Sequence, residues 1–145
     1  MTQDKKELRI QIQFENEDDF YKKYFFSISG LLGNLTDTER EIIAEICALK
    51  NKLEVVPISQ EEKEELLFTS KFRKKICDSL NISSYNFNNY LKRLVEKKVI
   101  IYKEKQYFLA PNLFFPIVNL NQVTFTIDFK RYDKDNTRNQ NSSNQ

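Results

Sequence analysis

At 145 residues, with 40% hydrophobic and 30% charged side chains and a net charge of +2, the sequence reads as one soluble domain with a sizeable core. It contains no histidine, which excludes Ser-His-Asp and Cys-His catalysis and His-ligated metal sites. Two cysteines, Cys47 and Cys77, and two glycines, Gly30 and Gly33, are too few for a zinc cluster, a disulfide framework or a phosphate-cradling loop.

In chain order, Leu8–Phe14 alternates strictly. Leu8, Ile10, Ile12 and Phe14 share one face, and Arg9, Gln11 and Gln13 the other, the pattern of a half-buried strand. Val123–Phe129 repeats the pattern near the other end. A lone strand leaves its backbone groups unpaired, so these two segments are expected to pair with each other or with copies in a second subunit. Between them, Asp18 or Asp19 is placed to cap a helix whose packing face holds Phe20, Tyr24, Phe25 and Ile28. Thr36-Asp-Thr-Glu39 is a capping box opening the helix TEREIIAEICALK, with Ile42, Ile43, Ile46, Cys47 and Leu49 toward the core. NKLEVVP then leaves the helix, and Pro57 prevents its continuation. Ser59-Gln-Glu-Glu62 is a second capping box, before the short acidic stretch QEEKEELLF.

Thr69 or Ser70 is expected to cap a helix over KFRKKICDSL, with Phe72, Ile76 and Leu80 on one face and Lys71, Lys74 and Lys75 on others. Both cysteines fall in apolar stripes and read as small core residues. Asn81-Ile-Ser breaks this helix, and Ser83 or Ser84 caps the next, YNFNNYLKRLVEKK. Two short strands, VIIY and YFLA, follow around the charged turn KEKQ. The tail KDNTRNQNSSNQ is polar and is expected to be disordered.

Charge is unevenly distributed. Residues 1–69 carry 9 basic and 15 acidic side chains, residues 70–110 carry 10 and 3, and residues 111–145 carry 4 and 3. The central block, at +7, is the part of the chain suited to a polyanion. On the helix after Ser83, Phe87, Tyr90, Leu91 and Leu94 cluster on one side with Val95 at its edge. The opposite side presents Tyr85, Asn89, Lys92 and Arg93, with Asn86 at a margin and Glu96 among them. Asn pairs bidentately with adenine and Arg with guanine, whereas Lys and Tyr reach phosphates.

The order helix, helix, short turn, helix, hairpin resembles the winged helix-turn-helix family. The carrying residues are FTSKFRKKICDSLNIS, SYNFNNYLKRLVEKKVI and IIYKEKQYFLA, and the most specific piece is YLKRLVEKKVI. Members of the family commonly carry Leu-x-x-Leu-Val-Glu-Lys-Gly-Leu-Ile there. In this chain Lys98 replaces the glycine, which leaves the helix end without its preferred left-handed residue. The stretch YFLAPNLFF is also similar to the end of the wing in plasmid and phage replication-initiation proteins of this fold. The resemblance implies an α+β fold. Together with the alternating terminal segments and the polar tail, the expected division is an N-terminal strand and helix (1–35) packing on a winged helix domain (36–117), a C-terminal strand (118–132) and a disordered tail (133–145); the resemblance itself covers residues 36 to about 110. It also implies a recognition helix at 84–97 in the major groove and a basic wing on the adjacent minor groove or backbone. The nucleic-acid-binding residues carried over are Ser84, Tyr85, Asn86, Asn89, Lys92, Arg93, Lys103 and Lys105. Lys71, Lys74 and Lys75 of the preceding helix would flank the groove.

The functional expectation is a double-stranded DNA binder, a transcriptional regulator or replication-related factor, needing no cofactor, no metal and no catalytic residue. Glu61, Glu62, Glu64 and Glu65 read as a solvated helix face rather than as catalytic carboxylates, and Tyr102 and Tyr107 as packing residues on a pleated surface. The alternative is a structural or assembly protein, such as a virion or large-complex component, that docks on protein through the winged helix and terminal strands. A homodimer through the terminal strands or helices suits either reading. No apolar run approaches the roughly 20 residues that span a bilayer, and MTQDKKELRI lacks the apolar core of a signal peptide. The expected location is therefore the cytoplasm, away from any membrane.

Overall fold

The computed structural model describes residues 5–111, 113–117, 120 and 122–130. The fold is α+β, with five α-helices and two small two-stranded sheets among the described residues. It divides into two compact units, Ile12–Gln122 and the terminal segments Met1–Gln11 with Val123–Gln145. In the terminal unit, β1 (Lys5–Gln13) pairs with β4 (Gln122–Lys130), so the two terminal strands pair with each other. The polar tail lies outside the described residues.

The larger unit begins with α1 (Glu17–Ile28). Its cap is Asn16, not Asp18 or Asp19; the Asn16 Oδ1 accepts from the Asp19 N–H at 2.9 Å. The two aspartates sit in the first turn, where they face the positive end of the helix dipole instead. Phe20, Tyr21, Tyr24, Phe25 and Ile28 are buried, and the rings of Phe14 and Phe115 close around Phe20 at 4.8 and 5.6 Å. The Tyr21 hydroxyl donates to the Phe115 carbonyl at 2.9 Å, tying the late chain back onto α1.

A 3-10 turn (Ser29–Leu32) and Gly33, at φ 79°, lead to α2 (Asp37–Leu53). The expected capping box at Thr36 and Glu39 is complete. The helix runs through the first three residues of the segment NKLEVVP before it ends. α2 is the central element. Ile42, Ile43, Ile46 and Cys47 are fully enclosed, Ala44 and Ala48 nearly so, and the helix packs against α1 and three later helices. A helix that is apolar around most of its circumference has to be surrounded in this way. These later helices are α3 (Gln60–Leu67), α4 (Ser70–Leu80) and α5 (Ser84–Glu96). Ser59 caps α3 through its hydroxyl, and Thr69 and Ser83 cap α4 and α5 in the same way. Both cysteines are buried thiols. Burial pushes the Cys77 thiol above its ordinary range and raises that of Cys47 further.

The hairpin of β2 (Ile100–Lys103) and β3 (Gln106–Leu109) completes the unit. Its register pairs Ile100 with Leu109, Tyr102 with Tyr107 and Lys103 with Gln106. The turn is therefore the two residues Glu104 and Lys105, at φ 52° and 63°. Positive φ at both positions is the backbone of a type I′ turn, built here without the Asn-Gly pair it favours.

Candidate nucleic-acid interface

Three residues join α4 to α5. Asn81 adopts the left-handed conformation at φ 54°, the Ile82 N–H returns to the Cys77 carbonyl at 3.0 Å, and Ser83 caps α5 through the Asn86 N–H. Asparagine tolerates this backbone region better than other non-glycine residues. Phe87, Leu91 and Leu94 then anchor α5, each at most 1% exposed. Tyr90 and Val95, expected on the packed side, are half-buried.

The C-terminus of α5 departs from expectation. Lys98 itself takes the left-handed conformation at φ 64°. Its N–H bonds to Val95 O, and the Val99 N–H bonds to Leu94 O, both at 3.0 Å. These are the two bonds of a Schellman motif, and the accompanying apolar contact is available because Leu94 and Val99 are both fully buried. Lysine here keeps the geometry that glycine most often supplies at a helix end.

An ion pair secures the same end. Lys97 reaches back across 58 residues to Glu39 at 2.6 Å, and it also donates to Asn34 O at 3.3 Å. Glu39 is fully buried, with its Oε2 lacking a hydrogen-bond partner among the described residues. Burial favours the neutral acid, but the hydrogen bonds from Lys97 and Thr36 outweigh it and hold the carboxyl below the ordinary range. Thus α5 is fixed at one end by the Asn81 turn and at the other by the cap of α2.

With α5 so held, Ser84, Tyr85, Asn86, Lys92 and Arg93 are exposed, Tyr85 to 76%. Asn89 is half-buried. The Arg93 guanidinium lies over the Tyr90 ring at 5.3 Å. Lys71, Lys74 and Lys75 of α4 are exposed, as are Lys103 and Lys105 of the hairpin. Lys74 and Ser84 line one open groove, beside the N-terminus of α5; Asp78 lines it too and offsets one positive charge. Lys105 lines a second groove, beside the hairpin. Asn86, Asn89, Lys92, Arg93 and Lys103 line neither groove.

The structure refines the charge count. Lys97 is neutralised by Glu39, and Arg73 is half-buried. Eight exposed cations (71, 74, 75, 92, 93, 98, 103 and 105) remain against three exposed anions (78, 96 and 104), a surface net of +5 across residues 70–110.

Two residues missed in the sequence organise this surface. Arg73 donates from Nε to Phe68 O at 3.1 Å and from Nη1 to Asn88 Oδ1 at 3.4 Å, and its guanidinium covers the Tyr107 ring at 5.4 Å. It therefore lies between the two grooves and links α4, α5 and the hairpin. Glu64, expected on a solvated face, instead pairs with Lys50 at 2.7 Å and accepts the Leu109 N–H at 3.0 Å. Its neighbours Glu61, Glu62 and Glu65 are exposed as expected. Glu64 bolts the hairpin to α3 and α2, in a role that no local periodicity announces.

No group of three or more Cys, Asp or Glu among the described residues is arranged to hold a metal ion. No helix among them is long and apolar enough to cross a membrane. Comparison with protein-family models, with curated proteins and with solved structures yields no match.

Proposed function

We propose that the protein binds double-stranded DNA as a winged helix-turn-helix module, acting as a transcriptional regulator or replication-related factor. The observation that carries this reading is the exposed cationic surface of net +5 assembled around the polar face of α5. A helix about 10–12 Å across fits a major groove about 12 Å wide. Asn86 and Arg93 are seven residues apart on α5, a span of about 10 Å along the axis, or roughly three base-pair steps. Asn86, Asn89 and Arg93 are the base-reading candidates. Ser84, Tyr85, Lys92 and Lys74 are assigned to phosphates. The hairpin is the wing, with Lys103 and Lys105 against the neighbouring backbone.

The test is fluorescence anisotropy with random-sequence duplex at low and moderate salt. Binding at low salt that weakens steeply as salt rises is the expected outcome, because each neutralised phosphate contributes a slope of about −0.9 in log affinity against log salt. Absence of binding even at low salt refutes the reading.

A second reading, as a docking module in a larger assembly, is favoured by the two-stranded β1–β4 sheet and by Phe26, Leu31 and Val55, which are 69%, 58% and 72% exposed outside the basic segment. It predicts a protein partner and no salt-sensitive DNA affinity.

A further inference from the structure

We propose that the groove between the α3–α4 junction and the β2–β3 hairpin takes an unpaired nucleotide, its base stacked on the open face of Tyr102. The proposal rests on the reading of the α5 surface as a DNA interface and adds a feature of the DNA that the surface would select.

The register sets Tyr102 directly opposite Tyr107, and the rings lie 4.7 Å apart, tilted by 46°. The two tyrosines are not equivalent. Tyr107 is supported, with the Phe68 ring at 5.8 Å and the Arg73 guanidinium at 5.4 Å. Tyr102 is 52% exposed. Both rings line the groove, and Tyr102 is the more open of the two, so it offers an amphipathic aromatic surface there. The support beneath it is rigid, because Arg73 is held by both the Phe68 carbonyl and the Asn88 amide oxygen.

The groove holds about 330 Å³ and is open on one side, a size within the range of small-ligand sites. Its charge suits a nucleotide. Arg73 and Lys105 line it with the carboxylate of Glu65, and the exposed Lys103 and Glu104 adjoin it at the hairpin turn, a local net of +1. Cations would meet the phosphate, Tyr102 the base plane, and Glu65 an exocyclic amino group, which a carboxylate accepts from. Base-on-aromatic stacking is indifferent to sequence, so this site would recognise unpaired strand, such as an end or an opened junction, next to duplex held by α5.

The test uses the full chain, a blunt duplex, and the same duplex carrying a short unpaired extension that contains 2-aminopurine. The wild-type protein is expected to prefer the extended duplex by about five- to 150-fold, the range of one stacked base, and to quench the 2-aminopurine fluorescence at saturation. Tyr102→Phe should keep both effects. Tyr102→Ala should lose both while its affinity for blunt duplex and its circular dichroism stay unchanged. Equal affinity for the two duplexes with no quenching, or quenching that survives in Tyr102→Ala, overturns the proposal and leaves the duplex reading standing. Quenching by an isolated single strand from a protein that ignores blunt duplex does the reverse. Saturable binding of a proline-rich peptide to the same groove, without quenching, would assign it to a protein partner and also overturn the proposal.

Discussion

The Glu39–Lys97 pair gives an asymmetric prediction. Lys97→Met removes the ammonium and leaves a fully buried carboxylate whose Oε2 already has no partner among the described residues. Breaking a buried pair from one side costs about 3–5 kcal/mol when both groups are dry. The Lys97 side chain is 26% exposed, which puts the expected loss near the lower bound, about 3 kcal/mol. Glu39→Gln removes the charge yet keeps the shape, and glutamine still completes a capping box at that position. The ammonium left behind keeps the Asn34 carbonyl and its contact with water, so the expected cost is only about 1 kcal/mol. With a urea slope of about 2 kcal/mol per molar, the two variants should differ by about 1 M in midpoint at neutral pH. The double variant should lie closer to Glu39→Gln than to Lys97→Met. The pH dependence adds a sign. Glu39 is held below its unfolded value, so its contribution is present above the ordinary carboxylate range and is lost as pH falls through the lowered folded value. That acid-side loss should shrink in Lys97→Met. Equal midpoints for the two single variants, or an unchanged acid limb, would refute the account of how α5 is fastened to α2.

Three further outcomes are expected. Lys98→Gly should raise stability by about 1 kcal/mol, or about 3 °C in Tm, because glycine adopts the Schellman conformation without the side-chain clash that lysine incurs at φ 64°; an unchanged or lower melting temperature would count against strain at that position. Glu64→Ala should cost about 2 kcal/mol and selectively speed hydrogen exchange at the Leu109 amide, which loses its carboxylate acceptor; uniform exchange across the hairpin would show that Glu64 does not brace it. On the DNA reading, Arg93→Ala should lower affinity for a selected site by about 1–3 kcal/mol, whereas Lys103→Ala should weaken all sequences alike and reduce the salt slope by about 1. Arg93→Ala binding that matches wild type on every sequence would show that the base-reading face is misassigned.

Much of the larger unit was legible because its signals are local. Thr36, Thr69 and Ser83 cap where a hydroxyl precedes an apolar-periodic run, Ser59 caps with a glutamate three residues on, and Phe87, Leu91 and Leu94 face inward as their spacing requires. The first helix start was misplaced because three acidic residues follow Asn16, and any of several side chains satisfies the same rule. What could not be read were relations between residues distant in sequence. Arg73 and Asn88 are 15 residues apart, Glu64 and the Leu109 amide 45, and Glu39 and Lys97 58. Arg73, Asn88, Glu64 and Lys97 each look solvated when only their own helix is considered, and the capping role of Glu39 does not announce a partner on α5. Their effect on the site is nevertheless direct, since they turn a sequence block of +7 into a surface of +5 and fix the hairpin relative to α5.

The backbone strain follows the same segment. Five non-glycine residues among those described have positive φ, and four of them, Asn81, Lys98, Glu104 and Lys105, flank α5 or turn the hairpin. Asparagine bears this conformation cheaply. The other three cost about 1–2 kcal/mol each, together roughly 3–6 kcal/mol against a total stability of about 5–15 kcal/mol for an ordinary domain. Glycine at each position would remove most of that cost, and two of the three strained side chains, Lys98 and Lys105, are exposed cations. A surface selected for stability alone would give these positions up. Keeping lysine there retains a quarter of the eight cations around α5 and the hairpin, which is the arrangement expected if charge at this face is held at the expense of a more stable fold.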